Sequence, residues 1–220
     1  LGKCLIMALL NNHNKFIFFH LYKCGGTSLR DILKPHLSDI MFPNKFEELG
    51  NSHSLPRDIR EIYKNIDKIE LFDSYYKFTF VRNPFDWLLS IYYYILKNVN
   101  HNEHFIVKDM SLLQFLNYYV NDMKKSNENK DLGHNKVTTL YEYVTDEKGN
   151  LLVDFIGRFE NMENDMMLIC QKLGLYFKDI PLLNVNLGKE KDYRKYYDTE
   201  SIDFVNENFK KDLDYFNYKF

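Results

Sequence analysis

Lys15-Phe16-Ile17-Phe18-Phe19-His20-Leu21-Tyr22-Lys23-Cys24-Gly25-Gly26-Thr27-Ser28-Leu29-Arg30 is the stretch that decides the fold. Its first seven residues form a short apolar run rich in Phe and Ile, which reads as a buried strand. A glycine pair follows, then a helical stretch over Leu29–Leu33 that Pro35 ends. Strand, Gly-rich turn and helix together suit an anion. Gly25 and Gly26 lack Cβ, so the backbone can bend tightly and approach a ligand. The first amides of the helix, with its dipole, favour negative charge. Lys23 adds a point charge, and Thr27 and Ser28 add hydroxyl donors. Taken alone, the turn is equally compatible with a plain strand-to-helix connection.

The turn is not a Walker A loop, which requires G-x-x-x-x-G-K-[ST] with Lys after the second glycine. Here Lys23 precedes both glycines. A second signal lies at Lys77–Val81, a strand candidate that runs into Arg82-Asn83-Pro84-Phe85-Asp86. Asn83 is a good N-cap, Pro84 suits the first helical position, and Asp86 falls in the favourable first turn. Trp87, Leu88, Ile91, Tyr92 and Ile95 then recur at helical spacing. Arg82 ends the strand, and Ser90 follows two turns into the helix. An Arg fork with a hydroxyl suits a terminal phosphate. Alone, Arg82 in a surface ion pair and Ser90 as a small helix residue explain the same pattern. Two anion signals in one α/β chain point to a ligand with phosphates at both ends.

The rest of the chain continues the alternation. Helices are expected over Leu55–Ile66, with Ile59, Ile62, Tyr63 and Ile66 on one face, and over Leu112–Met123. Lys124–His134 reads as an exposed loop, and Thr139–Asp154 as a hairpin about Asp146–Gly149. Leu152–Phe159 is a third apolar run. Glu160–Leu173 reads as a helix closed by Gly174. Asp198 caps a final helix with Ile202, Val205, Phe209 and Leu213 inward. Strands alternating with helices imply an α/β layer fold with a mostly parallel sheet, and residues 1–220 are expected to form a single domain.

Composition narrows the function. Lys plus Arg number 29 and Asp plus Glu 31, a net charge of −2, so no broad nucleic-acid footprint is expected. An anionic ligand must be held by a local cluster. Three cysteines (Cys4, Cys24, Cys170) are too few and too widely spaced for a disulfide framework or a structural zinc site. No apolar run is long enough for a transmembrane helix; Leu5–Leu10 is far too short. There is no Asn-x-Ser/Thr sequon. Scarce cysteine and absent sequons favour a bacterial-type cytoplasmic setting. A Golgi lumen is the alternative if an anchor before Leu1 was trimmed.

Four ordered segments resemble the carbohydrate sulfotransferases that use 3′-phosphoadenosine 5′-phosphosulfate (PAPS). Phe19 to Arg30 looks like their 5′-phosphosulfate loop. Val81 to Ser90 looks like their 3′-phosphate motif, with Arg-Asn-Pro and a Ser eight residues after the Arg. Asp154-Phe155-Ile156-Gly157-Arg158-Phe159-Glu160-Asn161 is similar to a third segment. So is Tyr193-Arg194-Lys195-Tyr196-Tyr197 with the closing helix. The resemblance implies a P-loop-NTPase-like three-layer fold with a mostly parallel central sheet. It implies PAPS as donor, PAP as product, a hydroxylated carbohydrate acceptor and no required metal. Lys23, Cys24, Gly25, Gly26, Thr27 and Ser28 would hold the 5′-phosphosulfate, and Arg82 and Ser90 the 3′-phosphate. Arg194, in a basic loop with Lys189, Lys191 and Lys195, would close over the nucleotide, although a solvated charge run explains it equally.

Two departures from the family pattern stand out: Tyr22 replaces a Pro, and Cys24 replaces a Thr or Ser. A thiol at a helix N-terminus beside Lys23 is expected to have a lowered pKa and to block donor binding when alkylated. The resemblance also implies two catalytic groups. Lys23 would stabilise the leaving oxygen, and His53, in a loop between the two phosphate motifs, would take the proton from the acceptor hydroxyl. His20 is expected to order the loop or pack there, and His134, Glu47 and Glu48 are weaker base candidates. The rival readings are a P-loop kinase or NTPase, which predicts Mg²⁺ and ATP dependence, and a non-catalytic nucleotide-binding protein on the same scaffold.

Overall fold

Phe-rich runs make the centre of the sheet. β1 (Ala8–Asn11), β2 (Phe16–Phe19), β3 (Tyr76–Val81) and β4 (Phe155–Arg158) lie in the order β1-β2-β3-β4. The computed structural model describes residues 8–33, 55–128, 139–176 and 192–220, with side chains through 122 in the second of these segments. β1 runs antiparallel to β2. β2 is parallel to β3, and β3 to β4, so the sheet is mostly parallel, as the alternation of elements predicted.

Every residue of β2 is buried, as are the last five of β3, so both faces of the central pair are covered. Phe16 and Phe18 meet Phe78 across the β2–β3 pair, with centroids 5.8 and 5.3 Å apart. Fully burying each such ring stabilises the fold by about 1.5–3 kcal/mol. The register sets Phe19 beside Thr79, whose hydroxyl donates to the Phe19 carbonyl at 2.7 Å, and Val81 beside Arg158. The carboxyl ends of β2, β3 and β4 are thereby neighbours, and each ends in a segment singled out by its sequence.

The helices are α1 (Gly26–Leu33), α2 (Pro56–Asn65), α3 (Ile69–Asp73), α4 (Pro84–Lys97), α5 (His104–Val107), α6 (Leu112–Glu128), α7 (Leu140–Val144), α8 (Met162–Leu173), α9 (Thr199–Asn208) and α10 (Lys210–Phe216). Local chemistry places their ends. The Asn83 side chain accepts from the Phe85 amide at 3.1 Å, with Pro84 at the first position of α4. Gly174 closes α8 at φ 64°, a left-handed conformation that favours glycine. Asp198 caps α9 through the Ser201 amide at 2.8 Å.

The structure corrects the sequence reading in several places. Leu5–Leu10 was expected only as a run too short for a membrane span, yet Ala8–Asn11 is the edge strand β1. Lys124–Glu128 is helical, not loop, because Lys and Glu are good helix formers despite their polarity. Of the hairpin expected over Thr139–Asp154, the turn about Asp146–Gly149 is present, closed by an antiparallel bridge from Thr145 to Leu151, but its first arm is the short helix α7. Thr139 accepts from the Glu142 amide at 3.1 Å and so starts a helix where the alternation suggested a strand. The final helix breaks at Phe209, and Ile66 is exposed just past the end of α2. No helix among the described residues is long and apolar enough to cross a membrane.

Candidate functional site

The β2–α1 turn is tight and left-handed twice, at Lys23 (φ 60°) and Gly25 (φ 80°). The Cys24 amide donates to the Leu21 carbonyl at 3.3 Å, and the first helical bond runs from the Leu29 amide to the Gly25 carbonyl at 3.3 Å. The amides of Gly26, Thr27 and Ser28 therefore start the helix with no carbonyl one turn behind them within it. Gly25 is favoured by its left-handed φ, since Met162 Cε is the end of a flexible side chain, and Gly26 by the rigid His20 ring. A Cβ on Gly25 would stand 2.0 Å from Met162 Cε, and one on Gly26 would stand 1.8 Å from His20 Cδ2. His20 is buried and stacks on Phe18, so its ring shapes the loop, as expected.

Lys23 Nζ lies 4.3 Å from the centroid of Tyr94, a residue of α4. Trp87, also on α4, donates its indole N–H to the Tyr22 carbonyl at 2.8 Å. These two contacts fix α4 against the loop. Thr27 is exposed and Ser28 is buried.

Arg82 stands at the end of β3, beside this loop. Its Nη1 donates to the Lys23 carbonyl at 3.2 Å. Its Nε and Nη2 face Asp86 Oδ2 at 2.7 and 2.6 Å, and its guanidinium lies 4.0 Å from the Phe159 ring centroid. Asp86 and Ser90 are four residues apart on α4 and so share a face, which puts buried Ser90 one turn below the carboxylate that aims Arg82. The Arg82–Lys23 hydrogen bond joins directly the two segments that the sequence reading singled out as anion signals.

The C-terminal elements buttress Arg82 from the other side. Asn83 Nδ2 donates to Tyr193 Oη at 3.1 Å and to the Lys219 carbonyl at 2.8 Å. The Asn83 amide donates to Glu160 Oε1 at 2.6 Å, and Tyr218 donates its hydroxyl to Glu160 Oε2 at 2.8 Å. Arg194 is exposed over the Tyr193 ring, 4.8 Å from its centroid, and lies 3.4 Å from Asp192. It is thus joined to the Arg82 turn through Tyr193 and Asn83. His53, His134, Glu47, Glu48, Lys189 and Lys191 lie outside the described residues.

The lowered pKa expected for Cys24 is not found. The residue is buried, and burial pushes its thiol well above the ordinary range. Arg82 and Lys23 pull the other way, but Glu160 and Asp86 oppose them. The helix-start geometry that favours a thiolate was legible; the packing that removes water was not. Sequence reasoning also missed Tyr94, Asp86, Phe159 and Tyr193 as neighbours of the loop and of Arg82. Asp86 could have been found as the residue four after Arg82, whereas the others meet the site only through tertiary packing. Among the described residues, no three His, Cys, Asp or Glu side chains form a group able to hold a metal ion.

The Lys23 turn at the start of α1 and the strand-end Arg82 thus lie together at the carboxyl edge of the mostly parallel sheet of an α/β protein, the edge at which such folds place their ligand sites. The sequence model of the sulfotransferase family matches residues 7–219, nearly the whole chain, and the chain belongs to that family. It is also 29% identical over 131 residues to an uncharacterized protein of Archaeoglobus fulgidus, a match that covers 57% of this chain and 88% of the relative. No solved structure matches the chain significantly.

Proposed function

We propose that this chain is a single-domain, P-loop-like sulfotransferase that moves a sulfuryl group from PAPS to a hydroxyl of a carbohydrate. The observation that supports the reading most is the hydrogen bond from Arg82 to the Lys23 carbonyl, which joins the two segments assigned here to the two ends of the donor. Family membership supports sulfuryl transfer, and the resemblance of both loops supports PAPS as donor and a carbohydrate as acceptor. The cradle fits a phosphosulfate: amides at a helix start, a lysine, and two glycines whose replacement would bring a Cβ within 2.0 Å of neighbouring side chains.

In this reading Lys23, the Cys24–Ser28 backbone and the Thr27 and Ser28 hydroxyls hold the 5′-phosphosulfate. Arg82 and Ser90 hold the 3′-phosphate, and Arg194 closes over the nucleotide. The acceptor oxygen forms a bond to sulfur as the bond from sulfur to the phosphate oxygen breaks. Lys23 stabilises the charge that grows on that leaving oxygen. His53 takes the acceptor proton, and PAP departs. Positioning and electrostatics supply most of the rate. The Tyr94 face holds the Lys23 ammonium close to the loop, and the Lys23 carbonyl is fixed by Arg82.

Incubation with sulfur-labelled PAPS and a panel of polysaccharides tests the proposal. Label should enter a carbohydrate and be lost in Lys23→Ala and His53→Ala. Label entering only phenols or other non-carbohydrate hydroxyls would refute the acceptor class. Phosphoryl transfer from ATP in its place would refute the donor.

A further inference from the structure

We propose that Phe159 is a positioning residue shared by both ends of the donor site, so that the Gly157-Arg158-Phe159-Glu160 segment acts as the spacer between the two anion subsites. This inference rests on the donor reading above. The register that pairs Val81 with Arg158 sets the next residues, Arg82 and Phe159, side by side at the sheet edge. The Phe159 ring then lies against the Arg82 guanidinium, 4.0 Å from centroid to carbon. The same ring borders the phosphosulfate loop: a Cβ built on Gly25 would stand 3.1 Å from Phe159 Cδ2. One ring thus lies against the arginine of one subsite and lines the space beside the glycine of the other.

The segment around Phe159 is fixed at every neighbouring position. Gly157 lies flush beneath Phe80, whose Cε1 would be 2.4 Å from an added Cβ. The Arg158 amide donates to Asp165 Oδ2 at 2.6 Å, and its Nη2 donates to the Phe216 carbonyl. Glu160 accepts from the Asn83 amide through one oxygen and from the Tyr218 hydroxyl through the other. With its flanks held, the ring is a rigid stop. Asp86 and the Lys23 carbonyl engage the edges of the guanidinium, and Phe159 covers a face, which leaves part of the five-donor fork for a phosphate. An arginine on an aromatic face also loses less freedom on binding.

Titration with PAP and with adenosine 5′-monophosphate, which lacks the 3′-phosphate, tests the inference. The ratio of the two affinities reads how well Arg82 is aimed and is insensitive to a general loss of folded protein. Phe159→Leu should lower that ratio by about 3- to 30-fold, the range that loss of one cation–π contact gives. Phe159→Tyr should keep it. In an Arg82→Ala background Phe159→Leu should leave the ratio unchanged. Equal weakening of both ligands by Phe159→Leu, with the ratio intact, would overturn the positioning role. Absence of any preference for PAP in the wild type would instead sink the donor reading, and this inference with it.

Discussion

Gly26→Ala is the substitution whose effect the structure sets most tightly. The added Cβ would lie 1.8, 1.9 and 2.5 Å from Cδ2, Nε2 and Cγ of His20. All three atoms belong to one rigid ring. That ring is buried and stacked on Phe18 with a centroid separation of 6.2 Å, so it cannot yield as the end of a flexible chain would. Either His20 leaves its place or the start of α1 moves. Overpacking of this kind costs about 1–3 kcal/mol. Alanine's helix propensity returns up to about 1 kcal/mol, and less in a first turn. The net loss should be about 1–2 kcal/mol, or about 2–8 °C in Tm for a chain of this length. Urea unfolding of wild type, Gly26→Ala, His20→Ala and the double variant forms a closed cycle. The two sites should couple by about 1 kcal/mol or more, because removing the ring removes the clash. A Gly26→Ala protein within 0.5 kcal/mol of wild type, or additive single effects, would refute the steric reasoning. On the proposed donor site, which includes the Gly26 amide, PAP affinity should fall in Gly26→Ala and recover in part in the double variant.

Three further outcomes are expected. Burial, with a smaller contribution from Glu142, pushes the Asp212 carboxyl up to about 7 from 3.8, although the Tyr141 amide donates to it at 2.7 Å. Its stabilising contribution is therefore full below pH 3.8 and is lost as pH rises toward about 7. Between those limits the stability of wild type should fall relative to Asp212→Asn by up to about 1.4 kcal/mol per pH unit; parallel unfolding curves would contradict this. Native Cys24 should resist iodoacetamide at pH 8 by about 100-fold or more against the unfolded chain, read by mass spectrometry of its peptide; rapid labelling of folded protein would show that the thiol is not buried. Asn83→Ala removes the α4 cap and the bonds to Tyr193 and Lys219, and should cost about 2–3 kcal/mol in urea unfolding. A loss under 1 kcal/mol would mean that these bonds are replaced by water.

What could be read from the sequence was what local chemistry decides. The glycine pair after an apolar run, and Asn83-Pro84 after a second one, fix turns within a few residues of themselves; α4 starts where that chemistry places it, whereas α1 starts at Gly26, before the expected Leu29. Asp198 and Gly174 work the same way. Ala8–Asn11 was not legible because a four-residue edge strand has too little periodicity to register, and it forms only by pairing with β2. The turn about Asp146–Gly149 was legible, but the first arm of that hairpin is helical because the Thr139 cap outweighs a weak alternation. Within the site, Lys23 and Arg82 were legible through their place at strand ends. Phe159 and Tyr94 were not, since each meets its cation only after strands or helices from distant parts of the chain are packed together. Cys24 shows the opposite error: a local rule for thiolates was applied where tertiary burial prevails.

The claim on which the account turns is that Lys23 and Arg82 hold the two ends of one nucleotide. Calorimetric titration with PAP in the presence of EDTA, beside a titration with ATP and Mg²⁺, tests it most directly on wild type, Lys23→Ala and Arg82→Ala. The account predicts PAP binding without metal, weakened in both variants and most in Arg82→Ala. Preference for ATP with Mg²⁺, or no PAP binding by well-folded wild type, would contradict it.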